Sequence, residues 1–481
     1  MSVLVARSLQ YCSTSVRIPC TRLKSTANCQ RAHLQSSIVA DEVTPRALKG
    51  ITFDDYKECF GYKSTWELLR AISVLQLCSV EKIADNSLEL MKAAEKLVGV
   101  RGLRLLFKPT VYNQFVGGET TEELRACTRS LARTGMRAML AATLEEDVGE
   151  GKDEIVYNNN CQRILNAIGI VTTEDIKSPM IQLKLSGLLS ADMLLTVGNI
   201  YAGHNNKLSL IKALAEGMSE GKLQDSLLDE ALDEAQKRCL ERALERFKKI
   251  GTEAKRKGVK VLVDAEITYL NPGLSCLALA AVAVFNLDAS VIWNTYQCYL
   301  RDAEILLKEE LSLVTELGCH FGAKLVRGAY MSQERSRAQK LKISDPVCEN
   351  YTATCNNYNK ILSFLLDKHY TMGPQCQFII ASHNVESIKF AVKKIEDMNM
   401  DKDLQSVCFG QLYGMCDQVS NPLMRVGLPV YKSIPYGKID EVLPYLARRA
   451  VENKSVLEGA RNELILLKKE LRRRVQSTLH M

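Results

Sequence analysis

At 481 residues the chain is long enough for one large α/β barrel with extensions or for two to three average domains, and its 46% hydrophobic and 25% charged residues are ordinary for a globular protein. Five of its seven net positive charges come from Arg7, Arg17, Arg22, Lys24 and Arg31, in a first forty residues without Asp or Glu. The remainder carries only +2, which argues against a nucleic-acid binder.

Residues 1–40 are rich in Arg, Ser and Thr and lack a long apolar run, a composition that predicts a mitochondrial transit peptide rather than a secretory signal. Sixteen cysteines form no CxxC pair and no Cys/His cluster with zinc spacing, so they are expected as free thiols in a reducing compartment. Residues 50–110 carry apolar positions at helical spacing and are predicted to form a helical arm. From about residue 112 strand-like runs alternate with helical patterns. The runs are MRAMLAAT (136–143), MIQLKLSGL (180–188), VKVLVDAE (259–266), VIWNTYQCY (291–299), GAKLVRGAY (322–330), CQFIIASHN (376–384), SVCFGQLYGM (406–415) and VYKSIPYG (430–437). Near-continuous apolar strands separated by helices imply a buried parallel sheet, and eight of them imply a (β/α)8 barrel spanning 112–475. The connection at 196–258 reads as a helical insertion built on one amphipathic helix, DSLLDEALDEAQKRCLERALERFKKIG, with no DxDxDG calcium loop. No window holds the roughly eighteen apolar residues of a membrane span, so any membrane contact is expected to be peripheral.

In such a barrel the chemistry belongs at the C-terminal ends of the strands, and polar residues fall there: Lys184, Asp264, Glu266, Gln297, Tyr299, Lys324, Arg327, Tyr330, His383, Asn384, Gln411 and Ser433. After the eighth strand Pro435 and Gly437 mark a stop and Asp440 is the expected N-cap of a helix. On it Tyr445, Arg448, Arg449 and Glu452 recur at i, i+3, i+4 and i+7 and share a face, beside an apolar stripe of Leu446, Ala450, Leu457, Ala460, Leu464 and Leu471. Two adjacent guanidinium forks beside a tyrosine suit a carboxylate or phosphate, although a solvated face with an Arg–Glu pair has the same pattern. No GxGxxG follows a strand, which speaks against a Rossmann domain. A lysine such as Lys184 in a barrel strand also admits a Schiff base. The basic run KKELRRR (468–474) admits a non-catalytic, membrane-surface or partner-binding barrel.

The run KSIPYGKIDEVLPYLARRAVEN (432–453), with KLVRGAYMSQER (324–335) and ASHN (381–384), resembles the proline dehydrogenase family of flavoenzymes, and within it the animal hydroxyproline-oxidising branch. The resemblance covers about residues 50–475. It implies FAD at the barrel mouth, contacted by Gln297, Lys324, Val326 and His383, with Glu452 in support. It implies a substrate carboxylate clamped by Lys184, Arg448 and Arg449, a ring packed by Tyr445 and Leu412, a polar wall of Tyr330 and Asp264, and room left by Ala329. Many family members have Arg where this chain has Lys324, and a lysine cannot offer the same fork. The proline-specific branch typically has Tyr where this chain has Ser433. The smaller side chain opens volume for a ring hydroxyl and offers it a partner, which favours trans-4-hydroxy-L-proline over L-proline, with some proline oxidation retained. The implied product is 3-hydroxy-1-pyrroline-5-carboxylate, with electrons passed to ubiquinone on the matrix side of the mitochondrial inner membrane, which the KKELRRR helix could approach. L-Proline is the alternative substrate.

Overall fold

Eight short apolar strands, each followed by a helical segment, close on themselves. They are β1 (Arg137–Ala142), β2 (Met180–Leu183), β3 (Lys260–Val263), β4 (Ile292–Gln297), β5 (Phe321–Val326), β6 (Cys376–Ala381), β7 (Val407–Leu412) and β8 (Val430–Tyr436). All pair in parallel in sequence order, and β8 returns onto β1 with Met139 opposite Ser433, completing the expected (β/α)8 barrel. This computed structural model describes residues 50–143 (81, 84 and 85 apart), 154–172, 177–224, 226–400, 405–452 and 454–479, without the side chains of 95, 100, 226, 227, 229, 449–460 and 479. The predicted transit segment, residues 1–40, lies outside the described residues.

Each expected run contains its strand, but several strands stop before the polar residues expected to close them. Lys184 follows β2 as the residue preceding a 3-10 turn, Leu185–Gly187, and Asp264 follows β3. Tyr299, Tyr330 and His383 stand in the loops beyond β4, β5 and β6. The ladder ends where the chain peels away to build the rim, so polar groups stand just past the last paired residue.

Side chains alternate across a strand, and the barrel interior is filled accordingly. Met139, Met180, Leu262, Trp293, Ile379, Cys408 and Tyr431 form one buried apolar layer. The Trp293 indole covers Gly322 of β5, where a Cβ would come within 2.3 Å of the ring, so no larger residue fits there. Two residues further along the strands the interior becomes polar: Gln182, Asp264, Lys324 and Ser433 follow Met180, Leu262, Gly322 and Tyr431.

The β2–β3 connection holds four helices, Ala191–Gly203, Lys207–Glu220, Ser226–Ala231 and Glu234–Lys257. The one amphipathic helix expected there is two, because the Asp233 carboxylate accepts the amides of Ala235 and Gln236 while Gln236 caps the amide of Asp233 in return. The first two of these helices pack over Asn271–Phe285, which explains why that helix is apolar nearly all round.

The arm comprises the helices Tyr56–Phe60, Thr65–Cys78 and Ser87–Phe107, the second opened by a capping box between Ser64 and Glu67 and the third interrupted at Gly99, whose backbone is not helical. Cys59, Phe60, Leu68 and Leu75 pack against Leu466 and Leu467 of the C-terminal helix, Lys454–Leu479. The helix after β8 runs Ile439–Glu452, so Asp440 lies in its first turn rather than at its N-cap. Pro444 stands in the second turn, where the bond to the Asp440 carbonyl is lost. The stripe from Leu446 to Leu471 spans two helices and two clusters: Leu446 packs with Ile439, Val442, Leu443 and Met91, and Leu464 with the arm.

Candidate active site at the mouth of the barrel

The polar layer is a connected chain of contacts. Lys324 of β5 donates to Asp264 Oδ1 at 2.5 Å and faces Gln182 Oε1 at 3.5 Å, while Gln182 Nε2 donates to Ser433 Oγ at 2.7 Å. Four side chains from β2, the end of β3, β5 and β8 thus cross the barrel just above its apolar filling. Ser433, Lys324 and Gln182 all lie on strands, which holds them more rigidly than loops would. An ammonium offers three protons, and two of those of Lys324 have these acceptors.

Around this layer stand the other expected residues. Gln297 and Val326 are register partners at the ends of β4 and β5. The Gln297 carboxamide is locked, receiving a bond from Asn271 Nδ2 at 3.0 Å and giving one to the Glu266 carbonyl at 3.2 Å. Burial pushes the Glu266 carboxyl above the usual range, while the nearby Lys184 ammonium pulls it down; its Oε1 accepts the Ser186 amide. Ala329 and Tyr330 lie half-buried in the loop after β5, Tyr330 immediately preceding the helix Met331–Leu341. That helix is tied to the loop beyond Asp264 by Glu334, which accepts from both the amide and the hydroxyl of Thr268.

His383, past the end of β6, accepts the Leu412 amide at Nε2, 2.9 Å away. Burial, then the positive charge of Lys432, push its imidazole down to about 3, so it is neutral with its proton on Nδ1. The Leu412 side chain is open at the end of β7. Tyr445 and Arg448 lie half-buried on the helix after β8. Arg449 and Glu452 belong to the same helix, and their side chains lie outside the described residues.

Gln182 and Asp417 are polar groups of this region that the strand-end pattern does not single out, whereas Arg327 is among those it does. Period two puts Gln182 on the same strand face as the buried Met180, but Ile181 and Leu183 on the other face are buried too, so only the closed sheet shows that this face lines the barrel axis. Arg327 is pinned by the hydroxyls of Ser382 (2.5 Å) and Ser387 (2.9 Å) and stacks 4.4 Å over Tyr358, with its Nε buried and without a partner among the described residues. On the outer side of β8, Lys432 bonds Asp417 Oδ1 at 2.7 Å, and Lys63 of the arm bonds Oδ2 at 2.8 Å. Glu463 of the C-terminal helix receives the amides of Cys416 and Asp417. No local pattern announces this buried network, because Lys63 is hundreds of residues away in the chain and Lys432 and Glu463 belong to other elements than Asp417.

Residues 124–462 match the family described as proline dehydrogenase. The chain is 39% identical to a hydroxyproline dehydrogenase of Xenopus laevis over 86% of its length and 89% of that protein's, and 37% identical to the hydroxyproline dehydrogenase of Homo sapiens over 89% and 95%. It is 30% identical to proline dehydrogenase 1, mitochondrial, of Homo sapiens over 89% of this chain and 90% of that one. Among solved structures, proline utilization A from Bdellovibrio bacteriovorus superposes with a TM-score of 0.55 at 17% identity, covering 88% of this chain and 40% of that longer one, a likeness of fold alone.

Proposed function

Since this chain belongs to the proline dehydrogenase family, we propose that it oxidises trans-4-hydroxy-L-proline, and L-proline less well, using FAD. The substrate loses a hydride from the ring carbon beside nitrogen and a proton from nitrogen, giving the C=N bond of 3-hydroxy-1-pyrroline-5-carboxylate. The observation that carries the reading is the chain of contacts Asp264–Lys324–Gln182–Ser433, which sets a cation and a hydroxyl inside the mouth of a barrel otherwise filled with apolar side chains.

The donor set fits the cofactor. Lys324, the neutral His383 with a proton on Nδ1, and Arg327 with an orphaned buried Nε bring donors and positive charge to the ends of β5 and β6, suited to ring carbonyls and a diphosphate. Gln297, Lys324, Val326 and His383 would hold the group, with Glu452 supporting it. When bound, it supplies the two-electron acceptor that this chain's side chains lack.

The chain's own residues do the rest. Lys184, Arg448 and Arg449 clamp the substrate carboxylate, each charge-assisted bond contributing about 1.5 to 3 kcal/mol. Tyr445 and Leu412 pack on the ring, Tyr330 and Asp264 wall it, and Ala329 leaves it room. Together they orient the reacting carbon and exclude water. The preference for a hydroxylated ring rests on Ser433 and on the higher identity to relatives named hydroxyproline dehydrogenase than to those named proline dehydrogenase.

Electrons then pass to ubiquinone, at the matrix face of the mitochondrial inner membrane, with residues 1–40 as transit peptide. Relatives that carry the word mitochondrial in their names support the location. Among the described residues no helix is long and apolar enough to cross a membrane, so the contact would be peripheral. Of the KKELRRR run, Arg473 and Arg474 are bonded to Glu470, and Arg474 also to the arm carbonyls of Phe60 and Gly61. The arm segment Ser87–Phe107, which breaks at Gly99, exposes apolar side chains on both of its parts: Leu97 and Leu105 are 85% and 78% exposed, near Lys96 and Arg101.

The test is anaerobic titration of the FAD-loaded protein lacking residues 1–40. Bleaching of the flavin band at much lower concentrations of hydroxyproline than of proline is expected, followed by recovery on adding a soluble quinone. Bleaching chiefly by proline would turn the reading to proline dehydrogenase, and no flavin uptake would overturn both.

A further inference from the structure

We infer that Gln182 is a positioning residue for substrate choice: it fixes the direction of the Ser433 hydroxyl, so that the Ser433 proton is presented to an oxygen on the substrate ring. The inference rests on the proposed oxidation of hydroxyproline and adds to it a residue that no motif assigns.

The orientation of a carboxamide is settled by its neighbours. An ammonium accepts nothing, so the Gln182 oxygen must face Lys324, as it does at 3.5 Å, and the Lys324 ammonium is itself held by Asp264. The Gln182 nitrogen is then directed at Ser433, and because that nitrogen only donates, Ser433 Oγ must accept on this side, at 2.7 Å. One lone pair of the hydroxyl is thereby occupied, and its proton has to point elsewhere. Ser433 donates to no group among the described residues, and its neighbours in the interior below are apolar, Tyr431 among them. A ring hydroxyl entering the mouth supplies the missing acceptor. Proline offers a methylene there and leaves the proton unpaired, the situation in which a site built for a hydroxyl discriminates strongly. The fixed charge pair Asp264–Lys324 therefore sets, through Gln182, the polarity of a hydroxyl contributed by the opposite side of the barrel.

The test compares kcat/KM for hydroxyproline and for proline in four forms: wild type, Gln182→Met, Gln182→Glu and Ser433→Ala, with the double variant Gln182→Met/Ser433→Ala closing the cycle. Gln182→Met removes the donor at nearly constant volume, and the hydroxyproline-to-proline ratio is expected to fall at least tenfold. Gln182→Glu keeps the contact to Lys324 but accepts the Ser433 proton instead of donating. The ratio should fall in this form as well, which keeps the test open if the methionine variant fails to fold. The double variant should show no lower ratio than Ser433→Ala alone. A ratio within twofold of wild type while both substrates lose activity equally, or additive effects in the double variant, would mean that Gln182 only supports the barrel and would overturn the inference. Wild type that oxidises neither substrate overturns the functional reading and this inference together; wild type that prefers hydroxyproline while the Gln182 variants keep the ratio overturns this inference alone.

Discussion

Lys324 is a buried ammonium whose counterion comes from a different strand end, and that decides what its removal should do. Asp264→Ala leaves the ammonium without its counterion in the barrel mouth, with only the Gln182 oxygen facing it, and should cost about 3 to 5 kcal/mol of unfolding free energy. Asp264→Asn keeps an acceptor and should cost clearly less. Urea denaturation at constant pH measures both, and equal midpoints for the two variants would show that the charge pair has no such part. Ser433→Tyr displaces the acceptor of Gln182 and fills the space beside it. Its hydroxyproline-to-proline ratio should invert, by tenfold or more, and an unchanged ratio in steady-state assays would remove Ser433 from specificity. Several of these residues were legible in the sequence for a simple reason. Asp264, His383 and Lys184 interrupt or follow apolar runs at the strand ends, where a barrel collects its chemistry. Gln182 was not, because a glutamine within a short strand looks the same whether it faces solvent, a helix or the barrel axis, and only the closed sheet decides which.

At the level of elements, the arm, β8 and the C-terminal helix meet at Asp417. Its carboxyl is held well below the ordinary range by Lys432 and Lys63, although burial opposes this, while burial and the Asp417 charge push the Glu463 carboxyl up to about 7. The two groups act in opposite pH windows. Asp417 stabilises the fold above its ordinary value of 3.8, and this is lost as the pH falls below it. Glu463 binds its proton more tightly in the folded chain than its ordinary value of 4.5 allows, so its contribution is complete below that value and fades as pH rises through about 7. The melting temperature is therefore expected to fall between pH 5 and pH 8, and Glu463→Gln should flatten that slope. Identical slopes in scanning calorimetry would rule the assignment out. Element lengths depended on equally local chemistry: the expected single helix after β2 breaks where Asp233 and Gln236 cap one another, a capping box that an amphipathic pattern running through it conceals.

For the whole molecule, the exposed leucines of the arm give a test of where it works. Replacing Leu97 and Leu105 with Glu should reduce sedimentation with anionic, cardiolipin-containing vesicles by about tenfold while leaving oxidation with a soluble quinone intact. Undiminished sedimentation would place the contact on another face. The sequence by itself determined the barrel, because strand and helix leave different apolar periods and eight such alternations have one closed solution. It also determined the rim on which the polar residues stand, since that follows from the direction of parallel strands. Only the tertiary structure decided which of those residues touch. The pairing of Lys324 with Asp264, the place of Gln182 between Lys324 and Ser433, and the joining of Lys63, Asp417 and Lys432 all depend on closure of the sheet and on packing between distant segments. Such contacts are set by barrel register and by charges seeking partners away from water, and neither leaves a periodic trace along the chain.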